Sequence, residues 1–258
     1  MTELIETVTQ TGICRIILNR PEKKNALTSA MYDRLDMLMR AADVDDTVRV
    51  VQIESSGADF CAGNDIADFL AQSRQDAAAI EQPTEEPAGL RFLDTLIGFG
   101  KPIVAAVGGV AIGIGTTMLL HCDIVVASED AVFGLPFVKL GLVPEAASSL
   151  LLPRLMGYQR AAELLLLGDT FNASTAYELR LVNRVVPVDE LGAMAGDFAT
   201  RLAARPPEAL RLSRQLLRGD LAEVRSAKSR EAAIFLQRLS SSEAAASLNA
   251  FLSRSRPG

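Results

Sequence analysis

Imidazole is nearly absent from this sequence of 258 residues, because His121 is its single histidine. Ser-His-Asp and Cys-His catalysis both need an imidazole beside the nucleophile. His121 stands between a predicted buried helix and a predicted strand, which favours a structural role. The three cysteines have unrelated spacings and form no C-x-x-C pair. This excludes a cysteine-based zinc site of the usual spacing and fits a reducing compartment. Any chemistry must therefore rest on carboxylates and backbone dipoles.

The sequence also lacks the features of membrane and nucleic-acid proteins. No run of about eighteen uninterrupted apolar residues is present, so we expect no spanning helix. A net charge of −6 argues against a general nucleic-acid binder, which needs clustered Lys and Arg. The start, Met1-Thr2-Glu3-Leu4, has neither the basic nor the apolar region of a signal peptide. We therefore expect a cytoplasmic enzyme of bacterial type.

Short β-type runs alternate with helical patterns, which predicts an α/β fold. One helix is indicated by apolar residues at i, i+4, i+7 and i+11, namely Met31, Leu35, Leu38 and Ala42. Five strands are predicted, at residues 4–8, 14–18, 48–54, 102–107 and 123–127. The intervening segment from Ala71 to Leu90 is polar and irregular, and we expect a mobile flap there.

After about Pro187 the pattern changes to helix only. An apolar face at i, i+3 and i+7 is formed by Ala209, Leu212 and Leu216. This tail is too thin for a generous core of its own, so it should pack on the main body or on a neighbouring subunit. We divide the chain into a core over residues 1–195 and a C-terminal helical region over residues 196–258.

Two segments combine an apolar strand with a small-residue turn that opens a helix. They are residues 60–66 (FCAGNDI) and residues 108–115 (GGVAIGIG). Small residues allow a ligand to approach the backbone closely, because a Cβ would block it. Each turn can aim one backbone N–H at a common point, and two convergent donors form an oxyanion hole. The pair of turns therefore predicts an anion-stabilising site.

With their flanks, these segments resemble a known enzyme family. Residues 18–27 (LNRPEKKNAL), residues 60–66 and the block 101–157 are similar to the enoyl-CoA hydratase/isomerase (crotonase) superfamily, and the resemblance covers nearly the whole chain. It implies a spiral of repeated ββα units followed by a helical region that forms trimers, often paired into hexamers. It also implies an acyl-CoA substrate, with coenzyme A as part of that substrate and no separate cofactor or metal.

The resemblance also assigns binding roles to single residues. The backbone N–H groups of Asn64 and Ile114 become the oxyanion hole, and Ile114 begins a predicted helix whose dipole favours negative charge. Arg20, Lys23 or Lys24 could meet the CoA phosphates. CoA and the acyl group are placed along residues of the two turns and their flanks: Lys24, Ala26, Ala62, Gly63, Asp65, Ile66, Gly113 and Phe137.

Proton transfer is where members of this superfamily differ. A hydratase uses two glutamates, and the matching positions here hold Thr117 and Phe137, which cannot transfer a proton usefully. Another carboxylate, Glu145, follows Pro144, a pair that also suits a helix N-terminus. Residues 136–149, and Asn64 as well, resemble the Δ3,Δ2-enoyl-CoA isomerases of the peroxisomal type. In those enzymes the glutamate that matches Glu145 is the catalytic base.

We therefore predict an isomerase that converts 3-enoyl-CoA to 2-enoyl-CoA in fatty-acid or related acyl-CoA degradation. Glu145 alone would shuttle the proton, and its apolar sequence neighbours would raise its pKa toward a useful value. One alternative is an enoyl-CoA hydratase that uses Glu145, Asp65 or Glu86. A second alternative is a non-catalytic acyl-CoA-binding assembly subunit, which would be favoured if Glu145 pointed away from the thioester site.

Overall fold

The computed structural model describes residues 4–68 and 86–254, in which nine strands form two sheets. In chain order the strands are β1 (Ile5–Gln10), β2 (Ile13–Leu18), β3 (Val50–Ser55), β4 (Ile103–Val107), β5 (Val110–Ile112), β6 (Ile124–Ser128), β7 (Val132–Gly134), β8 (Thr170–Asn172) and β9 (Arg184–Val186). The larger sheet has the order β1-β2-β3-β4-β6-β9, and the smaller has the order β5-β7-β8. In the larger sheet only β1 and β2 are antiparallel.

Ten α-helices surround these sheets within the described residues. They are α1 (Ser29–Val44), α2 (Ala88–Gly98), α3 (Ile114–Thr117), α4 (Ser148–Met156), α5 (Tyr158–Ala162), α6 (Ala173–Glu178), α7 (Leu191–Ala203), α8 (Pro207–Arg218), α9 (Leu221–Leu239) and α10 (Ser242–Arg254). Polar caps fix where several of them begin. The Thr28 side chain accepts a hydrogen bond from the Met31 N–H at the start of α1, and Asp220 accepts one from Ala222 at the start of α9.

The α/β fold class is confirmed, and each of the five predicted strands is present with its ends moved by at most two residues. Four further strands, β5, β7, β8 and β9, were not predicted. Each has only three residues, which is too short to show alternation in the sequence.

Helices cover both faces of the larger sheet. On one face, Met31 and Leu35 of α1 pack with Phe92 of α2 in the main core. On the other face, Ala195 and Ala199 of α7 pack against β3, β4 and β6. The division at 195/196 thus falls inside α7, a helix that belongs to the sheet packing. The division of the chain into a core and a C-terminal helical region stays a prediction.

The last three helices differ in how they meet the rest of the chain. In α8 the predicted apolar face is open, with Leu212 44% and Leu216 84% exposed, and Arg214 is the buried residue of that helix. By contrast, Phe235 of α9 and Leu248 of α10 are buried. The α8 face therefore does not pack on the main body, and its packing on a neighbouring subunit stays a prediction. No helix within the described ranges is long and apolar enough to cross a membrane.

Candidate active site

Backbone hydrogen bonds join the two small-residue turns side by side. The Cys61 N–H donates to the Val110 carbonyl at 2.8 Å, and the Ile112 N–H donates to the Cys61 carbonyl at 2.9 Å. Cys61 and Ala111 form a parallel β-bridge, so the two segments run in the same direction where they enter their turns. Residues 60–66 and 108–115, far apart in sequence, consequently form one surface.

Glycines make this close approach possible. A Cβ on Gly115 would lie 2.4 Å from the Cys61 carbonyl oxygen, a distance that real Cβ atoms do not adopt. Gly63 has φ +98°, and Gly113 has φ +57°. Both lie in the left-handed region, where residues with a Cβ are disfavoured. The glycines thus allow the two turns to approach each other closely, and the expected approach of a ligand to this backbone stays a prediction.

The two residues whose backbone N–H groups are the predicted donors line a common cavity beyond these turns. The cavity has a volume of about 470 Å³, and Asn64 and Ile114 both line it. Neither the Asn64 N–H nor the Ile114 N–H has a protein acceptor in the described part of the chain. Ile114 is also the first residue of α3, so its N–H lies ahead of the intrahelical hydrogen bonds. That these two N–H groups form an oxyanion hole stays a prediction.

A second cavity adjoins the first and contains the candidate base. Glu145 lines this smaller cavity, and Asn64 and Phe235 line both cavities. The Thr117 hydroxyl donates to the Glu145 carboxylate at 3.2 Å. Burial raises the pKa of Glu145 to about 7, the Thr117 hydrogen bond opposes this, and the negative charge of Glu231 adds to it. Glu145 therefore has the proton affinity of an acid–base group working near neutral pH.

The two residues after Glu145 turn the chain sharply without glycine. Ala146 and Ala147 have φ values of +58° and +57°. The Ala146 carbonyl lies 2.9 Å from Nε2 of His121. A carbonyl can only accept, so Nε2 carries a proton, and burial lowers the pKa of His121 to about 4, which keeps the ring neutral. His121 thus has the structural role predicted for it.

A carboxylate from the C-terminal region holds the same loop. Glu231, on α9, accepts hydrogen bonds from the Ala147 N–H at 2.6 Å and the Ser149 N–H at 2.8 Å. The Ser149 hydroxyl also donates to it. Glu231 thereby binds backbone donors at the start of α4, which begins at Ser148. The sequence offered no motif for Glu231, because its partners lie about eighty residues earlier in the chain.

Tyr32 is a further site residue that the sequence analysis missed. Its hydroxyl donates to Oδ1 of Asn64 at 2.5 Å, and its ring lines the smaller cavity. Burial, followed by the negative charge of Glu145, raises the pKa of Tyr32, so the phenol stays protonated. Tyr32 follows the apolar Met31 on α1 and belongs to no local motif, so its sequence context indicated only core packing.

Most of the other predicted binding residues line the two cavities. The larger cavity is lined by Ala62, Gly63, Ile66, Gly113 and Phe137, and the smaller by Asp65. Of the expected flap, residues 71–85 lie outside the described residues. Its last part begins α2, and there Pro87, Gly89 and Leu90 line the smaller cavity.

Lys24 and Ala26 do not line either cavity. Nζ of Lys24 lies 3.2 Å from Asp59, and its side chain is 60% exposed. The backbone of Lys24 reaches the site only indirectly, because its carbonyl accepts the Ala62 N–H at 2.9 Å. The Ala26 carbonyl accepts a hydrogen bond from Arg20 at 2.9 Å. Contact of Lys24 and Ala26 with CoA stays a prediction.

Ion pairs occupy the carboxylates that were the alternative bases. Asp65 lies 2.8 Å from Arg20. Burial raises the pKa of Asp65, but hydrogen bonds from the Asp68 N–H and from Arg20 outweigh it, so the net shift is downward. Glu86 lies 2.9 Å from Lys228, a buried ammonium group. Glu145 is thus the carboxylate of these three that faces a cavity without a cationic partner in the described residues.

Comparison with known proteins places this geometry in a family. The enoyl-CoA hydratase/isomerase family model matches residues 8–258. Enoyl-CoA delta isomerase 2 of Rattus norvegicus is 38% identical over 209 residues, which is 80% of this chain and 52% of that protein. The chain thus spans about half the length of this relative. The 2,3-dehydroadipyl-CoA hydratase of Escherichia coli K12 is 36% identical over 218 residues, covering 84% of this chain and 82% of that protein.

Solved structures agree with the family assignment. The enoyl-CoA hydratase/isomerase structure from Pseudoalteromonas atlantica T6c matches with a TM-score of 0.90 and 38% identity, over 99% of both chains. The expected crotonase-like fold with a C-terminal helical region is thereby confirmed. Relatives named isomerase and relatives named hydratase are similarly distant, so the names alone do not select the reaction. The chain belongs to the enoyl-CoA hydratase/isomerase family, the crotonase superfamily.

Proposed function

We propose that this protein shifts the double bond of a 3-enoyl-CoA to give the conjugated 2-enoyl-CoA. One observation carries the proposal: a single carboxylate, Glu145, with a pKa of about 7 faces a cavity that adjoins the two free N–H groups of Asn64 and Ile114. One shuttling carboxylate is sufficient for a double-bond shift, because the same group can remove a proton and return it.

The reaction moves one proton and leaves the substrate's composition unchanged. The Glu145 carboxylate takes a proton from C2, whose acidity comes from the thioester carbonyl and the 3,4 double bond. The electron pair of the broken C–H bond spreads into a dienolate, and the Asn64 and Ile114 N–H groups stabilise its oxygen. The Glu145 carboxylic acid then gives the proton to C4. The double bond now lies between C2 and C3, and the carboxylate is restored.

The surroundings of Glu145 suit both halves of this cycle. A general base works best when its pKa lies near the operating pH, since it must both accept and release the proton. Burial raises the pKa of Glu145 toward that range, and the Thr117 hydroxyl fixes one carboxylate oxygen. The position that holds a glutamate in hydratases thus contributes a hydrogen-bond donor here.

Hydration of a 2-enoyl-CoA is the second candidate, and the relatives named hydratases favour it. Adding water requires a group that activates the water as well as one that protonates carbon. Thr117 and Phe137 stand at the hydratase positions, and Asp65 and Glu86 are held in ion pairs. A non-catalytic acyl-CoA-binding role has less support, because Glu145 lines the cavity beside the proposed thioester site.

The test is Glu145→Gln, which keeps the shape of the side chain and removes the base. We expect kcat for 3-enoyl-CoA isomerisation to fall by at least about 10²-fold with little change in KM. In the unmodified protein, kcat/KM should rise with pH through about 7, because only the ionised carboxylate accepts the C2 proton. Glu208→Gln, at an exposed pair with Arg211 on α8, is the matched control and should leave both measurements unchanged.

Two results would contradict the proposal. Full isomerase activity in Glu145→Gln would show that Glu145 is not the base. Efficient hydration of crotonyl-CoA by the unmodified protein, without isomerisation of a 3-enoyl-CoA, would establish the hydratase alternative instead.

A further inference from the structure

We propose that Glu231 of helix α9 is a positioning residue, which holds the loop after Glu145 so that the Glu145 carboxylate points into the cavity. This inference rests on the proposed function, in which Glu145 is the base. It gives the C-terminal helical region a part in the chemistry as well as in packing.

The loop needs support because its conformation is intrinsically unfavourable. Ala146 and Ala147 are consecutive residues in the left-handed region, which is unfavourable for an L-residue because its Cβ crowds the backbone. No glycine relieves this cost between Pro144 and Ser149. The conformation must therefore be imposed by tertiary contacts, and Glu145 immediately precedes it.

Glu231 supplies the contacts on one side of the loop. One of its oxygens accepts from the Ala147 N–H, and the other accepts from the N–H and hydroxyl of Ser149. The residue is 6% exposed, and its helix packs against α4. Hydrogen bonds to an ionised acceptor are stronger than those between neutral groups, so these three oppose the cost of two left-handed alanines. His121 in turn holds the Ala146 carbonyl.

The charge of Glu231 acts on Glu145 as well. Two carboxylates close together disfavour each other's ionisation, and Glu231 accordingly raises the pKa of Glu145. Burial raises the pKa of Glu231 too, and the hydrogen bonds from Ser149 and Ala147 and the charge of nearby Arg230 reduce this rise without cancelling it. The other titratable groups that face Glu145 or line its cavity are Tyr32 on α1, Cys61 in the first turn, Asp65 and Asp68.

The experiment compares Glu231→Gln, Glu231→Asp and Glu223→Gln in the full-length protein. Gln cannot accept from all three donors and has no charge, whereas Asp keeps the charge on a shorter side chain. Glu223 lies on the same helix and pairs with Arg154 of α4 at an exposed position, so Glu223→Gln controls for loosened packing between α9 and α4.

We expect Glu231→Gln to lower kcat by about 10-fold with KM changed less than about twofold, because misplacing a reacting group affects the transition state most. The acidic limb of its kcat/KM pH profile should move to lower pH, because removing one negative charge beside Glu145 lowers the pKa of Glu145. Glu231→Asp should keep the limb at the position of the unmodified protein. Ser149→Ala, which removes one donor, provides a milder variant if Glu231→Gln does not fold, and it should lower kcat less.

Infrared difference spectroscopy separates this inference from the proposed function. The carboxyl band that disappears in Glu145→Gln reports the titration of Glu145 directly, whether or not the protein isomerises any substrate. A midpoint that falls in Glu231→Gln but not in Glu223→Gln supports the inference. An unchanged midpoint and unchanged kcat in Glu231→Gln overturn it. Absence of isomerase activity in the unmodified protein would instead refute the proposed function, while the titration still tests the coupling.

Discussion

Both sides of the candidate site contain residues with positive φ, and the two sides accommodate them in different ways. On the side of Asn64 and Ile114, the left-handed positions are glycines, Gly63 and Gly113. On the side of Glu145, the left-handed positions are alanines, and side chains from distant elements hold them. The first side is encoded within a few residues, and the second depends on contacts across the whole fold.

This difference has a functional meaning under the proposed mechanism. The donors for the oxyanion belong to the backbone, so any side chain that folds there will serve. The base is a side chain whose direction and pKa both matter, and a loop held from outside allows these to be set by residues such as Glu231 and Thr117. A locally encoded turn could fix the direction but not the charge environment.

The strongest way to break the glycine side is Gly115→Ala. The new Cβ would meet the Cys61 carbonyl at 2.4 Å, so one of the two turns must move. Loss of one oxyanion donor typically costs 10²–10³ in kcat, and we expect kcat to fall by about that factor. Steady-state kinetics with a 3-enoyl-CoA measures the effect.

Gly192→Ala in α7 is the matched control, because a Cβ there meets no atom within 4 Å. It should leave kcat unchanged and stabilise the protein by up to about 1 kcal/mol, since alanine is the better helix former. Equal losses in both variants would show that Gly115 has no special role in the turn.

A second prediction concerns the stability that the folded protein loses when the buried Glu145 carboxyl ionises. The pKa of Glu145 is about 7 in the folded protein and 4.5 in a model peptide, so folding favours the protonated form. This stabilisation is complete below about pH 4.5 and is lost as pH rises through 7. Glu145→Gln removes this pH-dependent loss of stability. The free energy of unfolding of Glu145→Gln minus that of the unmodified protein should therefore grow by about 2 kcal/mol between pH 5 and pH 8.

Urea denaturation at both pH values and one protein concentration measures this change. Glu208→Gln should show no such growth, because that carboxylate is exposed and its pKa is lowered by Arg211. If the advantage of Glu145→Gln is the same at pH 5 and pH 8, then Glu145 ionises as easily in the folded protein as in the unfolded chain.

The same contrast explains what could be predicted from the sequence. The turns around Gly63 and Gly113 carry their conformation in their own residues, so local patterns located the two turns, and the resemblance then assigned the donors within them. Glu145 was found only through a resemblance, because Pro144-Glu145 also suits an ordinary helix start. The hydrogen bonds from the loop after Glu145 to Glu231, here called the clamp, were not predictable. Glu231 lies more than eighty residues from that loop and belongs to no motif.

Other misses have the same physical origin. Tyr32 contributes to the site through a hydrogen bond to Asn64, but its sequence position next to an apolar stripe suggested core packing alone. The face of α8 has helical periodicity, yet Leu216 is 84% exposed. A sequence pattern shows that a helix face is apolar, but it does not show which element covers that face. Pairings between distant segments, such as that of Arg214 with Asp123, likewise need the fold.

The smallest expected effect gives the most direct test of the comparison. It comes from placing a glycine, the residue used on the side of Asn64 and Ile114, at a left-handed alanine on the side of Glu145. Ala147→Gly should relieve roughly 1–2 kcal/mol of left-handed strain and cost about 0.5–1 kcal/mol of unfolded-state entropy, for a net change of less than about 1 kcal/mol. In the Glu231→Gln background, where the clamp is weakened, the glycine should recover about 1 kcal/mol more than it does alone, which a double-mutant cycle by urea denaturation measures. Ala246→Gly, on the exposed face of α10, should instead cost about 1 kcal/mol in both backgrounds. Strictly additive effects of Ala147→Gly and Glu231→Gln would mean that Glu231 does not hold the left-handed turn. If Glu231 does hold it, the glycine must stabilise the turn more once the Glu231 hydrogen bonds have been weakened.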